Sequence, residues 1–267
     1  MLSSNLPSVA ILWTAHLLFS IAEQFLAFVR WIRKKFKSVS NRKLITSSND
    51  WKKADLEIQF AVRKLDKIPS HLAVVLGPEI PNYELLAQFI HWGLAAGIGY
   101  VSFYDHKGIL KANYHRMLDY VRQRPRDDSE QIVWTPNLKP TERALPPRNG
   151  YRHRVVVSFF DPEDGQKQLL AATRTVTDRL RAGSISTAAD VTVELVDQII
   201  QDSNYHIPDP ELAVYFGAIC CTYGMLPWQI RLTEFIPLEA PSLAEVTEAH
   251  FLNCLFRYAK CEQRFGK

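Results

Sequence analysis

The residues best suited to chemistry stand in three short stretches. The last four positions, Arg264, Phe265, Gly266 and Lys267, set a guanidinium, a residue without a side chain and an ammonium side by side. Arginine offers a fork of donors that fits phosphate oxygens, and glycine lets backbone N–H groups come close, so the group suits a phosphate. The same pattern also ends ordinary helices, where cations favour the negative pole and glycine takes the left-handed position beyond it. Locally the helix end is the stronger reading. The second stretch, Tyr104-Asp105-His106-Lys107-Gly108, holds one acid–base pair, Asp105 and His106. Adjacent residues at a strand end point apart, which disfavours a direct relay, and an aspartate entering a helix is ordinarily a cap. The third, Gly77-Pro78-Glu79-Ile80-Pro81, puts a carboxylate between two prolines, a setting equally suited to a solvated turn.

Other catalytic signatures are missing. Gly183-Ser184-Ile185-Ser186 is not a nucleophile elbow, no Walker lysine loop occurs, and Gly97-Ile98-Gly99 is a lone doublet. The eight histidines lack metal-ligand spacing, and Cys220, Cys221, Cys254 and Cys261 form no C-x-x-C pair. Trp228, after Leu226-Pro227, reads as a core aromatic. Apolar residues at 47% and charged residues at 22% are ordinary globular values. The net charge of +4 is unevenly spread: residues 30–43 hold seven cations and no acid. Beyond residue 43 remain 25 basic and 27 acidic residues, which argues against nucleic acid as a partner. No N-x-S/T sequon occurs, as suits a cytosolic body.

Leu6 to Ala22 carries no charged side chain, and Val9 to Val29 is 21 residues, about 30 Å as a helix. The cations follow this run, which suits a signal anchor with a cytosolic flank better than a cleaved leader. The polar stripe His16, Ser20, Glu23 and Gln24 leaves an interfacial helix as the alternative. Residues 1–37 are thus expected to be a membrane anchor whose basic flank is an anionic-headgroup contact or simply a topology signal, and 38–50 a linker.

Helical spacing runs from Asp50 to Lys67, Tyr83 to Ala96 and Lys107 to Arg122, then over about 165–182 and 188–202. Strands are expected at Leu72–Leu76, Tyr100–Tyr104, Ile132–Trp134, Val155–Phe160, Leu212–Phe216 and Gln229–Ile236. A Pro-rich insert covers about 135–150, and a last helix is expected from Ser242, boxed by Glu245. Such alternation predicts an α/β domain, 51–267, with a mostly parallel central sheet flanked by helices.

Several of these stretches resemble the cis-prenyltransferase family. His71-Leu72-Ala73-Val74-Val75-Leu76 is similar to its first strand, which in catalytic members leads into Asp-Gly-Asn-x-Arg; the matching positions here are Gly77, Pro78, Glu79 and Pro81. Gly97 through Tyr104 resembles the second strand, with Asp105-His106-Lys107-Gly108 in place of Ser-x-Glu-Asn. Pro210 through Gln229 keeps Leu226, Trp228 and Gln229 of a third region but not its phosphate-gripping arginines. Tyr104-Asp105-His106-x-Gly108, Leu226 through Glu234, and Cys261-Glu262-Gln263-Arg264-x-Gly266-Lys267 fit the branch of noncatalytic accessory subunits of dehydrodolichyl diphosphate synthase. The resemblance covers roughly residues 50–267.

The resemblance implies a chain inactive alone, paired with a catalytic cis-prenyltransferase subunit in a heterodimer or larger assembly at the endoplasmic reticulum membrane, with its globular domain cytosolic. That assembly would add isopentenyl diphosphate to an allylic diphosphate for dolichol synthesis and protein glycosylation. Mg²⁺ would be held mainly by the partner, with no metal site in this chain. Arg264 and Gly266 would reach into the partner's site and grip a substrate diphosphate. Two other readings stand beside it: a membrane receptor or scaffold with no role in catalysis, and an independent enzyme using Asp105 and His106.

Overall fold

The run His-Leu-Ala-Val-Val has no polar alternation, and strand β1 (His71–Val75) is accordingly buried on both faces. It is the centre of a computed structural model that describes residues 48–124, 130–137, 153–203, 206–217, 219–240 and 242–262. All of them fall within one compact unit, residues 47–267. In chain order the elements are α1 (Ser48–Val62), β1, α2 (Tyr83–Ala96), β2 (Tyr100–Tyr104), a single turn α3 (Ile109–Ala112), α4 (Tyr114–Gln123), β3 (Glu130–Trp134) and β4 (His153–Phe160). They continue as α5 (Gln166–Arg181), α6 (Val193–Ser203), β5 (Leu212–Tyr215), β6 (Glu234–Pro237) and α7 (Glu248–Lys260).

The sheet has the order β3-β4-β2-β1-β5-β6, and every neighbouring pair is parallel. On one face Leu72, Val74, Val101, Phe103, Val155, Val157, Leu212 and Val214 pack beneath α2, α4 and α7. Phe89, Trp92 and Phe251 join α2 to α7 through ring contacts of 5.2 to 6.2 Å. The opposite face, with Ala73, Val75, Tyr104, Val156 and Ala213, is covered by Ile207, Met225 and Leu226. Helices α5 and α6 share a smaller cluster around Ala172, Ile199 and Ile200.

Several sequence-based boundaries differ, each for a local reason. The expected strand Gln229–Ile236 is a 3₁₀ turn over Gln229–Leu232 followed by β6, because left-handed Gly224 and Leu226 bend the chain just before it. The helix expected over Lys107–Arg122 breaks at Asn113, whose side-chain amide donates to Ile109 O at 2.9 Å. The first helix stops at Val62 and gives way to turns rather than running to Lys67; it begins at Ser48, inside the expected linker. The helix expected from 188 starts as a 3₁₀ turn and becomes α-helical at Val193. Ser242 does hold Glu245, at 3.0 Å, but the pair closes only a 3₁₀ turn; Val246 is extended, and Thr247 with His250 caps the real helix. No helix among the described residues is long and apolar enough to cross a membrane, and the expected anchor over 9–29 lies outside them. So does most of the Pro-rich insert.

One buried polar group ties β1 to its surroundings. His71 Nδ1 lies 2.6 Å from Pro208 O, and Nε2 lies 2.5 Å from Ser102 Oγ. A carbonyl only accepts, so Nδ1 carries the proton and Ser102 donates to Nε2. Burial pushes the His71 pKa down to about 4, against the backbone hydrogen bonds that raise it. Asp209 nearby moves the other way, up to about 6, through burial and the charge of Asp197. For His71 the folded value lies below the unfolded one. Its contribution to stability is therefore complete above about pH 6.5 and lost as pH falls through 4. Asp209 gives the opposite trend, so the two must be separated. Relative to His71→Gln, the native chain should lose up to about 3 kcal/mol between pH 7 and pH 4. Urea midpoints of both chains across that range measure it, and parallel profiles would refute the assignment.

Candidate functional site

In an open parallel sheet, ligands gather outside the carboxyl ends of the strands, where the winding reverses. Here β1 is the reversal point, flanked by β2 and β5. Four segments follow the strands at that edge: 76–81 after β1, 105–108 after β2, 161–165 after β4 and, after β5, the described residues 216–217 and 219–226.

The chain fills this edge with its own groups. Gly77 is left-handed, with φ of 62°, and a Cβ built on it would lie 3.0 Å from Cε2 of Tyr223. The Tyr223 ring in turn stacks on His106 at 5.1 Å between centroids, 25° from parallel. Its backbone is held by the Tyr104 hydroxyl, which donates to Tyr223 O at 2.6 Å. One residue on, Gly224 O presses against Gly165, where a Cβ would come within 2.4 Å of it. No side chain fits there, so glycine at 165 is what lets the loop lie flat against the end of β4.

The acids at this edge are committed to structure. Asp105 is fully buried and accepts from the backbone N–H groups of Lys107 at 3.0 Å, Ile109 at 2.7 Å and Leu110 at 3.2 Å. It caps α3, as the cap reading of the sequence expected, and His106 points to Tyr223 instead of to it. Asp161 and Asp164 cap the turn after β4, and both meet Lys111, Asp164 at 2.6 Å and Asp161 at 3.6 Å. Burial raises the Asp164 pKa against the pull of Lys111. Burial, with Asp161 and Asp105 nearby, pushes the Tyr104 hydroxyl up to about 12, so it remains a hydrogen-bond donor. His106 Nδ1 is buried without a hydrogen-bond partner. No activated nucleophile results, and among the described residues no three His, Cys, Asp or Glu side chains form a group able to hold a metal.

The other sequence candidates are dispersed. Glu79 is half-buried beside exposed Pro78 and Ile80. Trp228 is half-buried, with Nε1 donating to Asp197 at 3.1 Å and the Arg231 guanidinium 4.5 Å above its ring. Cys220 and Cys221 are exposed, Cys254 is buried, and all four cysteines are free. Arg264 and Gly266 lie outside the described residues. What is described is their base: α7 ends at Lys260, and Lys67 Nζ donates to Cys261 O while lying 4.8 Å over the Tyr258 ring. Tyr223, Gly165 and the Lys111 group escaped sequence reasoning. Left-handed Tyr223 has no sequence signal beyond the glycine after it, and Lys111 meets Asp164 only through tertiary folding.

Four curated relatives share one description. The mouse dehydrodolichyl diphosphate synthase complex subunit Nus1 is 32% identical over 208 residues, covering 77% of this chain and 68% of the mouse protein. The human protein of the same description is 31% identical over 212 residues, 77% and 69% of the two chains. The chain belongs to the NUS1 family. The Saccharomyces cerevisiae member is 26% identical over 232 residues, covering 76% of this chain and 60% of its own. No family model matches. Among solved structures, lavandulyl diphosphate synthase from Lavandula x intermedia superposes with a TM-score of 0.52 at 13% identity, over 75% of this chain and 99% of that one. A probable undecaprenyl diphosphate synthase from Campylobacter jejuni gives 0.50 at 14%, over 76% and 100%. These two likenesses establish a cis-prenyltransferase-like fold and nothing further.

Mg²⁺ does not fit at the end of β1. Gly77 brings no side-chain ligand atom there, and the space beside it holds the Tyr223 ring. Restoring an acid should therefore fail. Gly77→Asp forces a side chain into a left-handed backbone and displaces Tyr223 from its stack, at about 1–3 kcal/mol. Thermal melts should show a lowered Tm, only partly recovered by adding Tyr223→Ala. A variant as stable as the parent would contradict the packing described.

Proposed function

We propose that the chain is the noncatalytic but activity-essential subunit of a heteromeric dehydrodolichyl diphosphate synthase. Its catalytic partner performs the cis-condensation of isopentenyl diphosphate onto an allylic diphosphate, holding Mg²⁺ for that step. This chain lends Arg264 and Gly266 to the partner's site, where the guanidinium and nearby backbone N–H groups grip a substrate diphosphate. Residues 9–29 attach the subunit to the endoplasmic reticulum membrane and leave the α/β body in the cytosol, which places the product for dolichol synthesis and glycosylation.

The observation that carries the noncatalytic reading is the occupied crevice. Tyr223 stands within contact of Gly77 at the point where a cis-prenyltransferase of its own activity would need a carboxylate and room for a metal. Family membership and the pinned end of α7 support the rest. Leaving-group charge needs positive groups fixed in advance, and one arginine on a separate chain can provide part of that field.

Co-purification with a catalytic cis-prenyltransferase subunit, followed by incorporation of isopentenyl diphosphate, tests the proposal. Arg264→Ala should lower turnover on the order of 100-fold while the complex still co-elutes. The subunit alone should show none. Unchanged turnover by the Arg264→Ala complex would overturn the shared site and favour a receptor or scaffold.

A further inference from the structure

Helix α1 presents two faces of different chemistry. Ala54 and Ile58 are buried, and Asp55 turns inward to an ion pair with Arg124, whose guanidinium also lies 5.2 Å from the Trp51 ring. The outer face carries Leu56 and Phe60, one helical turn apart and 64% and 62% exposed. Around them Lys52, Lys53, Arg63 and Lys64 are exposed, with Lys64 Nζ 4.2 Å over the Phe60 ring. Glu57 is the one exposed acid between them, and it meets Lys53 loosely at 3.9 Å. Large apolar side chains ringed by long cations are the composition of a helix lying in a membrane interface, where the stems reach down and the charges stay at headgroup level.

The charge pattern of the whole chain selects the occupant. Residues 30–64 hold eleven Lys and Arg against three Asp and Glu, whereas 65–267 hold 21 against 24. The positive charge is thus concentrated on α1 and on the segment just before it, and the rest of the body is mildly acidic. We infer that the outer face of α1 is a second membrane contact, with Leu56 and Phe60 entering the interface of an anionic bilayer and Lys52, Lys53, Arg63 and Lys64 bound to its headgroups. The contact rests on the proposed membrane attachment of the segment before it. With that attachment α1 follows the span by 18 residues, and two weak anchors on one chain bind far more firmly than either alone. The contact also fixes how the body is turned toward the lipid.

The test uses the full chain in phosphatidylcholine vesicles with and without phosphatidylserine. A photoreactive phenylalanine analogue replaces Phe60, and in a control replaces Leu170, a half-exposed residue of α5. Irradiation should join residue 60 to lipid in the phosphatidylserine vesicles and leave residue 170 unlabelled. Replacing Lys53 and Lys64 with Gln should lower the adduct by about fivefold per cation, as follows from ~1 kcal/mol for each basic residue near an anionic surface. Flotation of the same samples reports the N-terminal attachment separately. A chain that floats without lipid adducts at residue 60, or with equal adducts at 60 and 170, overturns this inference alone. Failure to float overturns both. Adducts at residue 60 to an added catalytic subunit instead of lipid would assign the face to that partner.

Discussion

The hydroxyl of Tyr104, donating across the top of the sheet to the backbone of Tyr223, holds down the loop on which the character of this molecule depends. The donor stands at the last position of β2, buried between strands, so its position is set by the sheet itself. From it follow the placement of the Tyr223 ring over Gly77, the stack on His106, and the pressure of Gly224 on Gly165. A hydroxyl held protonated by burial serves well here, since it cannot shed the hydrogen that makes the contact at ordinary pH. The fold is cis-prenyltransferase-like, and the partly exposed Tyr223 ring lies over Gly77 at the strand ends.

The same edge shows how charged groups can be present without being available. Asp105 is buried at a strand end beside a histidine, which on paper resembles an acid–base site. Its oxygens are taken up by three backbone donors, and the neighbouring histidine faces away to an aromatic ring. Asp161 and Asp164 are tied by Lys111 in the same manner. A carboxylate that accepts several hydrogen bonds serves the backbone before it serves a substrate.

The strands were legible because buried parallel strands are nearly pure apolar runs. His71–Val75 and Tyr100–Tyr104 could be placed almost to the residue. Helix ends were less so. Asn113 interrupts a continuous amphipathic pattern through a side-chain bond that periodicity does not encode, and Ser242 offers a capping pair that a buried, extended Val246 then overrides. The stretch before β6 misled for another reason: Ile230 and Leu232 alternate like strand residues, but the bends at Gly224 and Leu226 decide the backbone. At the site, the vacancy at Gly77 could be read from sequence, since it concerns which side chain is missing. Its occupant could not, because Tyr223 arrives there from nearly 150 residues away.

The bond from Lys67 to the carbonyl of Cys261 works as a leash point. Arg264 is three positions beyond Cys261, so the arginine's backbone can stand no farther than about 11 Å from that carbonyl, however the chain runs. In the proposed assembly, a phosphate gripped by Arg264 must come within that distance plus the reach of the arginine side chain, which turns recognition into a matter of how closely the two chains dock.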